Sequence, residues 1–523
     1  MCCNHTLNSY HEVPHEKHDW RDYEIGSHVR LAKAGLYIHL LSPARQRMGS
    51  LSNLCRAAQS ESVISYQRIP PGPKGGPVLG NRIAFSQDPL SFLLNCSREY
   101  GDVVRVAKQT YFVNRPDLIH TIFHNKDGTF SKTDPYDTTQ NHSAFPASVM
   151  NSSGSEWADK RRKLRPAFQS DPILQSVEQA SSASHLLLAS WRQEPLRFDV
   201  REDMVQLCME IGSRFLFDGS ADPRETKRVL DTVDAIMKLM RSPFRLPLCI
   251  PTPNNLRLRR SRAELGETIG EIVERYRRSP SNRVCLLGTM LSEGEHGDSA
   301  WVRDEMATMI MSGLEPLAAG LTWTLYLLAS HAEIRRELQY EIDAVLQGHL
   351  LAASDISRLP FTEAVVKESL RLYPPAWMTG RVATRDCSLA GFEVPAGTLL
   401  TVSQWVSHRD PRYFESPDEY RPHRWLDQTD MAGLPSYAYF PFGTGPRKCI
   451  GSHLSMTQMI VVIASLMHGF DIEPVPDTNV RPYPALVLRP IGVRLRATLR
   501  RWPHAARANA NSTSPGRCPR NEH

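Results

Sequence analysis

The sequence predicts a mostly helical fold carrying a few short strands. Three long segments have helical apolar spacing, β-like runs are short and confined to a few places, and Pro and Gly clusters punctuate the rest. The chain has 523 residues, 41% hydrophobic and 23% charged, an ordinary globular composition. That length allows about three domains at ~150 residues each, although single-domain enzymes also reach this size. A formal charge of +6 is too small for this length to indicate nucleic-acid binding. Ten cysteines without a repeating spacing read as reduced thiols rather than a disulfide framework, and the adjacent Cys2-Cys3 has no second ligand pair after it. No stretch reaches the ~18 apolar residues of a membrane span. Ala34 to Leu41 is too short for one and contains His39, so the expectation is a cytoplasmic protein without a transmembrane anchor.

In chain order, residues 1–66 show little periodicity and read as a flexible extension, or as sequence upstream of a true start such as Met48. Residues 67–502 are expected to form the folded domain, and 503–523 a disordered polar tail. The leader from Ile69 to Pro77 is too rich in Pro and Gly for helix or central strand. Val103–Val106 and Thr110–Val113 read as strands around a turn, and Asp117–His124 as the start of a helix. The long helices follow: Val302 to Ser330, Ala332 to Gln347, and Pro360 to Tyr373, the last stopped by Pro374 and Pro375. Short strands return within Ser388–Val402 and Leu486–Leu499.

The strongest local feature is Phe440-Pro441-Phe442-Gly443-Thr444-Gly445-Pro446-Arg447-Lys448-Cys449-Ile450-Gly451. Its glycines and proline predict a tight loop, and an apolar helix from about Ser452 to Met467 follows at once. A cysteine at a helix start beside Arg447 and Lys448 is expected to sit in positive potential favouring its thiolate, with loop N–H groups directed at the sulfur. Phe442, Gly443, Gly445, Arg447, Cys449 and Gly451 match every fixed position of the cysteine-ligand loop of the cytochrome P-450 superfamily, which the chain resembles from about residue 67 to 500.

The resemblance implies a mostly α fold with a small β-rich lobe, a haem b cofactor, and Cys449 as the proximal iron ligand. Glu368 and Arg371 resemble the family's Glu-x-x-Arg pair, completed by Arg424, with His423 where a Glu is usual; their implied role is to support the loop behind the haem. Trp157, Arg161 and Arg381 resemble partners of the haem propionates, and His408-Arg409-Asp410-Pro411 matches a turn seen before the Arg424 segment. The basic run Lys160, Arg161, Arg162, Lys163 and Arg165 would lie on the cysteine side and steer an acidic ferredoxin or flavodoxin-type donor. No nicotinamide or flavin motif is present, so electrons are expected from separate proteins.

One motif departs from the family. The distal helix reads Ser312-Gly313-Leu314-Glu315-Pro316-Leu317, keeping glycine and acid but placing Pro316 where a proton-delivering threonine is usual. Gly313, Glu315 and Pro316 are therefore the expected catalytic positions. Proline should kink the helix and free the Ser312 carbonyl. Glu315 is expected to repel a substrate carboxylate, unlike the arginine found there in a peroxygenase subgroup. The pocket carried over from the family comprises Met309, Leu314, Leu317, Trp377, Met378, Leu486 and Val487, all apolar. The expectation is a monomeric monooxygenase inserting an atom of dioxygen into a lipophilic small molecule, a terpenoid or polyketide intermediate of secondary metabolism. A peroxygenase, oxidative-coupling enzyme, isomerase or dehydratase is the alternative that Pro316 raises, and a non-catalytic haem sensor is more remote.

Overall fold

The apolar segment expected from Val302 is a 31-residue helix, Ala300–Ser330, and most of its side chains are buried. The computed structural model describes residues 69–500 apart from 77–79, 133–144, 194–195, 198, 221, 242–249, 281–282, 293–299 and 428–431, all within the unit Tyr66–His523. The extension 1–66, the Cys2-Cys3 pair and the tail 503–523 lie outside the described residues. Around the long helix pack Val200–Phe217, Pro253–Arg278, Pro360–Leu372 and Ser452–Gly469. Ser452–Gly469 is apolar all round and buries twelve residues, as a helix enclosed on every side must. One continuous hydrophobic cluster joins these helices with Ser170–Gln193 and Ala332–Leu346.

Among the described residues the strands are short and form four small sheets. The largest runs Val103–Ala107, Thr110–Val113, Leu399–Val402, Thr379–Ala383, Phe130–Ser131 in spatial order. Among the described residues only the Thr110–Val113 and Leu399–Val402 pairing is parallel, with Thr110 opposite Leu399. The Pro-Gly leader lies against the first strand, where Arg105 N–H donates to the Pro71 carbonyl at 2.8 Å. A Cβ on Gly72 would sit 2.1 Å from the Arg105 oxygen, so only glycine fits there.

Helix positions agree closely with the sequence reading; strands agree less well. The Ser388–Val402 run divides into Cys387–Leu389, Phe392–Val394 and Leu399–Val402. Thr379–Ala383 was not anticipated, because Gly380 and Arg381 break its apolar pattern, yet it pairs on both sides within the sheet. Phe470–Pro474 was also missed, and pairs with Leu495–Leu499.

Candidate functional site: a thiol loop facing a buried helix

The Cys449 loop is held by its own backbone. Cys449 N–H donates to Phe442 O at 2.9 Å, Gly443 N–H to Phe440 O at 2.9 Å, and Lys448 N–H to Gly445 O at 3.0 Å. Gly443 and Gly445 both adopt φ of +70°, and a Cβ at Gly445 would lie 2.4 Å from the Phe123 carbonyl. Glycine is required there on both grounds. The Gly451 N–H favours the thiolate form of Cys449, the direction expected of the loop. The thiol is accessible but opens onto an interior cavity shared with Phe168, Ser312, Gly313, Leu314, Leu317 and Leu454.

Of the two cations beside the cysteine, Lys448 acts on the thiol as expected, joined by Arg161 rather than Arg447, but burial outweighs them. Burial pushes the Cys449 thiol up, and the Gly451 N–H, Arg161 and Lys448 pull it down only in part. A thiolate there calls for a bound metal ion, which deprotonates a coordinating thiol outright.

Facing the thiol, the Ala300–Ser330 helix is open along one face between Met309 and Pro316. Ser312 and Gly313 are exposed and Met309 and Pro316 half-buried within an otherwise buried stretch, the i, i+3, i+4, i+7 spacing of a single face. A Cβ on Gly313 would meet nothing within 4 Å. The helix runs unbroken through Pro316, so the proline is accommodated without ending it, and Ser312 O lacks only the donor that a proline cannot supply.

Glu315 turns away from that face. It is buried, with both carboxylate oxygens 3.0 Å from Arg201 Nη2, and it also contacts Arg489 Nε. Arg489 Nη1 in turn reaches Asp234 at 3.0 Å. The carboxylate is thus compensated by two guanidinium groups, which overturns the argument that Glu315 repels a substrate carboxylate.

The expected propionate partners gather near the thiol. Trp157 lies under Arg447 at 4.6 Å and Arg161 at 5.8 Å. Arg161 donates to Lys448 O and Arg447 to Ser152 O, both at 2.7 Å. Arg381 is buried over the Phe123 ring at 4.3 Å, and burial together with Arg447 brings its guanidinium down to about 10. None of the three arginines pairs with a carboxylate among the described residues. Half-buried cations beside an accessible thiol and an open helix face fit a planar iron-bearing group with acidic substituents.

Behind the loop, Glu368 and Arg371 are fully buried and pair in fork geometry, Nε to Oε2 and Nη2 to Oε1, each 2.9 Å. Arg424 Nε at 3.1 Å, Trp425 Nε1 at 2.8 Å and Arg421 N–H at 2.9 Å also donate to Glu368. Arg371 spends its remaining donors on the carbonyls of His408, Pro417 and Glu419. His408, whose role the sequence did not reveal, accepts from Phe440 N–H at 3.0 Å and so ties this network to the thiol loop.

The carried-over pocket divides. Met309, Leu314 and Leu317 line the cavity shared with Cys449. Trp377 and Met378 pack in a separate core cluster, Val487 joins the main core, and Leu486 is 45% exposed. The basic helix Gly154–Leu164 is also less available than its composition implies. Lys160 binds Ala147 O, Ser152 and Glu156, while Lys163 lies over Trp301; Arg162, Arg165 and Lys448 remain exposed. Arg201 and Arg489 were missed altogether, since they meet Glu315 across 114 and 174 residues and no local pattern marks them.

Comparison with known proteins agrees with this arrangement. The family model described as Cytochrome P450 matches residues 70–495. The chain is 32% identical to cyclooctat-9-en-7-ol 5-monooxygenase of Streptomyces melanosporofaciens, over 78% of this chain and 90% of that one. It is 29% identical to pentalenene oxygenase of Streptomyces avermitilis, over 82% and 97%. A solved structure, retinoic acid bound cyanobacterial CYP120A1, superposes with a TM-score of 0.73 at 22% identity, covering 82% of this chain and 99% of that chain. With its thiol loop, its buried Glu-x-x-Arg network and a family match spanning most of its length, this chain belongs to the cytochrome P450 family and is a cytochrome P450 monooxygenase.

Proposed function

We propose that this cytochrome P450 inserts one atom of dioxygen into a lipophilic, terpenoid-type small molecule in secondary-metabolite biosynthesis. The observation that carries the reading is the cavity in which the Cys449 thiol meets Ser312 and Gly313 among apolar side chains. Two relatives support the substrate class, one named for an alkenol and the other for an alkene. Haem b, held through Cys449, would supply dioxygen activation. Arg161, Arg381 and Arg447 would hold its carboxylates, with Trp157 packed against two of them. Phe442 and Gly451 shape the loop that presents the sulfur, and Gly313 keeps the opposite face free of side chain. Met309, Leu314 and Leu317 line the cavity; Trp377, Met378, Leu486 and Val487 are proposed to border the substrate's approach.

Electrons would come from a ferredoxin or a flavodoxin-type donor, attracted by Arg162, Arg165 and Lys448. Among the described residues no helix is long and apolar enough to cross a membrane.

The test supplies haem-loaded protein with a plant-type ferredoxin, its reductase and a panel of cyclic terpene hydrocarbons and alcohols under heavy-isotope dioxygen. One heavy oxygen per product molecule is expected, with none from heavy-oxygen water. Product formed only from added peroxide, or a rearranged product without new oxygen, would instead favour the peroxygenase or isomerase readings that Pro316 raises.

A further inference from the structure

The open face of the Ala300–Ser330 helix continues towards its N-terminus as a polar column. Glu305, Thr308 and Ser312 follow one another at i, i+3 and i+7, neighbouring positions on a helix surface. Glu305 is fully buried, and its Oε2 accepts from Val149 N–H at 2.6 Å and from Trp301 Nε1 at 3.2 Å. Its other oxygen, Oε1, has no hydrogen-bond partner, nor does the buried hydroxyl of Thr308. Two orphaned polar atoms one turn apart are unusual in a buried helix. Ser312, the next in the column, is exposed to the cavity that holds the Cys449 thiol. At about 1.5 Å rise per residue, Thr308 stands roughly 4.5 Å from Glu305 and roughly 6 Å from Ser312 along the axis, spans that one bridging water covers.

Two further facts close the other route. Position 316 carries no hydroxyl, and Glu315 is engaged by Arg201 and Arg489 away from the open face. Pro316 also leaves the Ser312 carbonyl without its helical donor, providing an acceptor for a water at the cavity rim.

We propose that Glu305, Thr308 and Ser312 form the proton relay of this enzyme, doing the work that an acid and a hydroxyl at positions 315 and 316 cannot. The proposal rests on the reading of the Cys449–Gly313 cavity as the site of oxygen chemistry. Each turnover takes up dioxygen, two electrons from the donor protein and two protons; one oxygen atom enters the substrate and the other leaves as water. The relay delivers those protons one at a time. The Glu305 acid passes its proton through the Thr308 and Ser312 hydroxyls, and the carboxylate left behind is reprotonated from the surface. Lys160 stands on that outer path, bonded to exposed Glu156 at 2.6 Å and to Ser152 at 2.9 Å. The charged groups acting on Glu305 are Lys160 and Asp304. Burial raises the Glu305 carboxyl to about 7, against the opposing pull of its two hydrogen bonds and Lys160, so acid and carboxylate coexist near neutral pH.

The test uses haem-loaded full-length Glu305→Gln, Glu305→Asp, Thr308→Val and Ser312→Ala. Infrared difference spectra should show a protonated carboxyl band near neutral pH in the wild type, absent in Glu305→Gln and perturbed in Thr308→Val. Reductant consumption with excess dioxygen should fall on the order of a hundredfold in Glu305→Gln, with a larger solvent isotope effect, and Glu305→Asp should recover much of it. Product from iodosylbenzene, which donates an oxygen atom without needing protons, should stay within about twofold of wild type. An intact thiolate-type carbon monoxide spectrum with unchanged reductant consumption in all four variants overturns the relay. So does the absence of a Glu305 carboxyl band. Should Glu305→Gln fail to load haem, Thr308→Val and Ser312→Ala decide alone: unchanged rates overturn the proposal, slowed rates support it. Failure of the underlying site reading shows differently, as a thiolate-type spectrum that survives Cys449→Ala.

Discussion

Replacing Arg489 by leucine would leave Glu315 buried with Arg201 as its remaining cationic partner. The Glu315 side chain is 2% exposed and that of Arg489 11%, so little solvent is available to screen the loss. Removing one partner of a buried ion pair costs about 3–5 kcal/mol. The lower end applies, because Arg201 still reaches both Glu315 oxygens. The lost contact to Asp234, which is 51% exposed, adds at most about 1 kcal/mol. For a folded body of this size, with about 2 cal/mol/K of unfolding entropy per residue, a loss near 3 kcal/mol lowers the melting midpoint by roughly 3 °C. Differential scanning calorimetry on matched haem-loaded samples reads it. Glu315→Gln in the same background removes the buried charge that has lost one of its two partners while keeping an acceptor for Arg201, and should restore most of the midpoint. If the double variant melts as low as Arg489→Leu, the ion pair is not the source of the loss and the reasoning fails.

Three other outcomes are expected. Pro316→Thr should fold normally, since the helix is already continuous at this position, and should improve product formed per reductant consumed without changing the product; loss of the native product with haem retained would show that proline is needed for the reaction. Arg162→Glu with Arg165→Glu should slow reduction by an acidic ferredoxin at low salt, and the difference should shrink as ionic strength rises past about 0.15 M; these positions suit the test better than Lys163, which is largely covered by Trp301. His408 is brought down to about 3 by burial, with Arg371 adding to the effect. It is neutral in the folded chain while the unfolded chain binds a proton below about 6.5, so its stabilisation is complete above that pH and lost as pH falls towards 3. His408→Gln should flatten the acid slope of stability by about 1.4 kcal/mol per pH unit in that window, followed by urea unfolding at stepped pH.

What could be read from the sequence was what depends on near neighbours. The turn around Gly443 and Gly445, the helix starting after Gly451, and the Glu368–Arg371 pair at i, i+3 all involve residues within a few positions of each other. Backbone sterics and helical periodicity determine such features locally. The long buried helix was legible for the same reason: an apolar run of that length needs enclosure on all sides. Strand Thr379–Ala383 was not, because its place in the sheet is decided by pairing with Leu399–Val402 and with Phe130–Ser131, the second far away in the chain. Only the tertiary structure showed that burial raises the Cys449 thiol despite its cationic neighbours, since desolvation depends on everything packed around a group. The two acids of the distal helix make the point most directly. The distal-helix motif marks Glu315 as the working acid and nothing local marks Glu305, yet folding brings Arg201 and Arg489 onto the first and leaves an oxygen of the second buried without a partner. A carboxylate's role is set by the groups that surround it in space, and spacing along the chain carries no record of them.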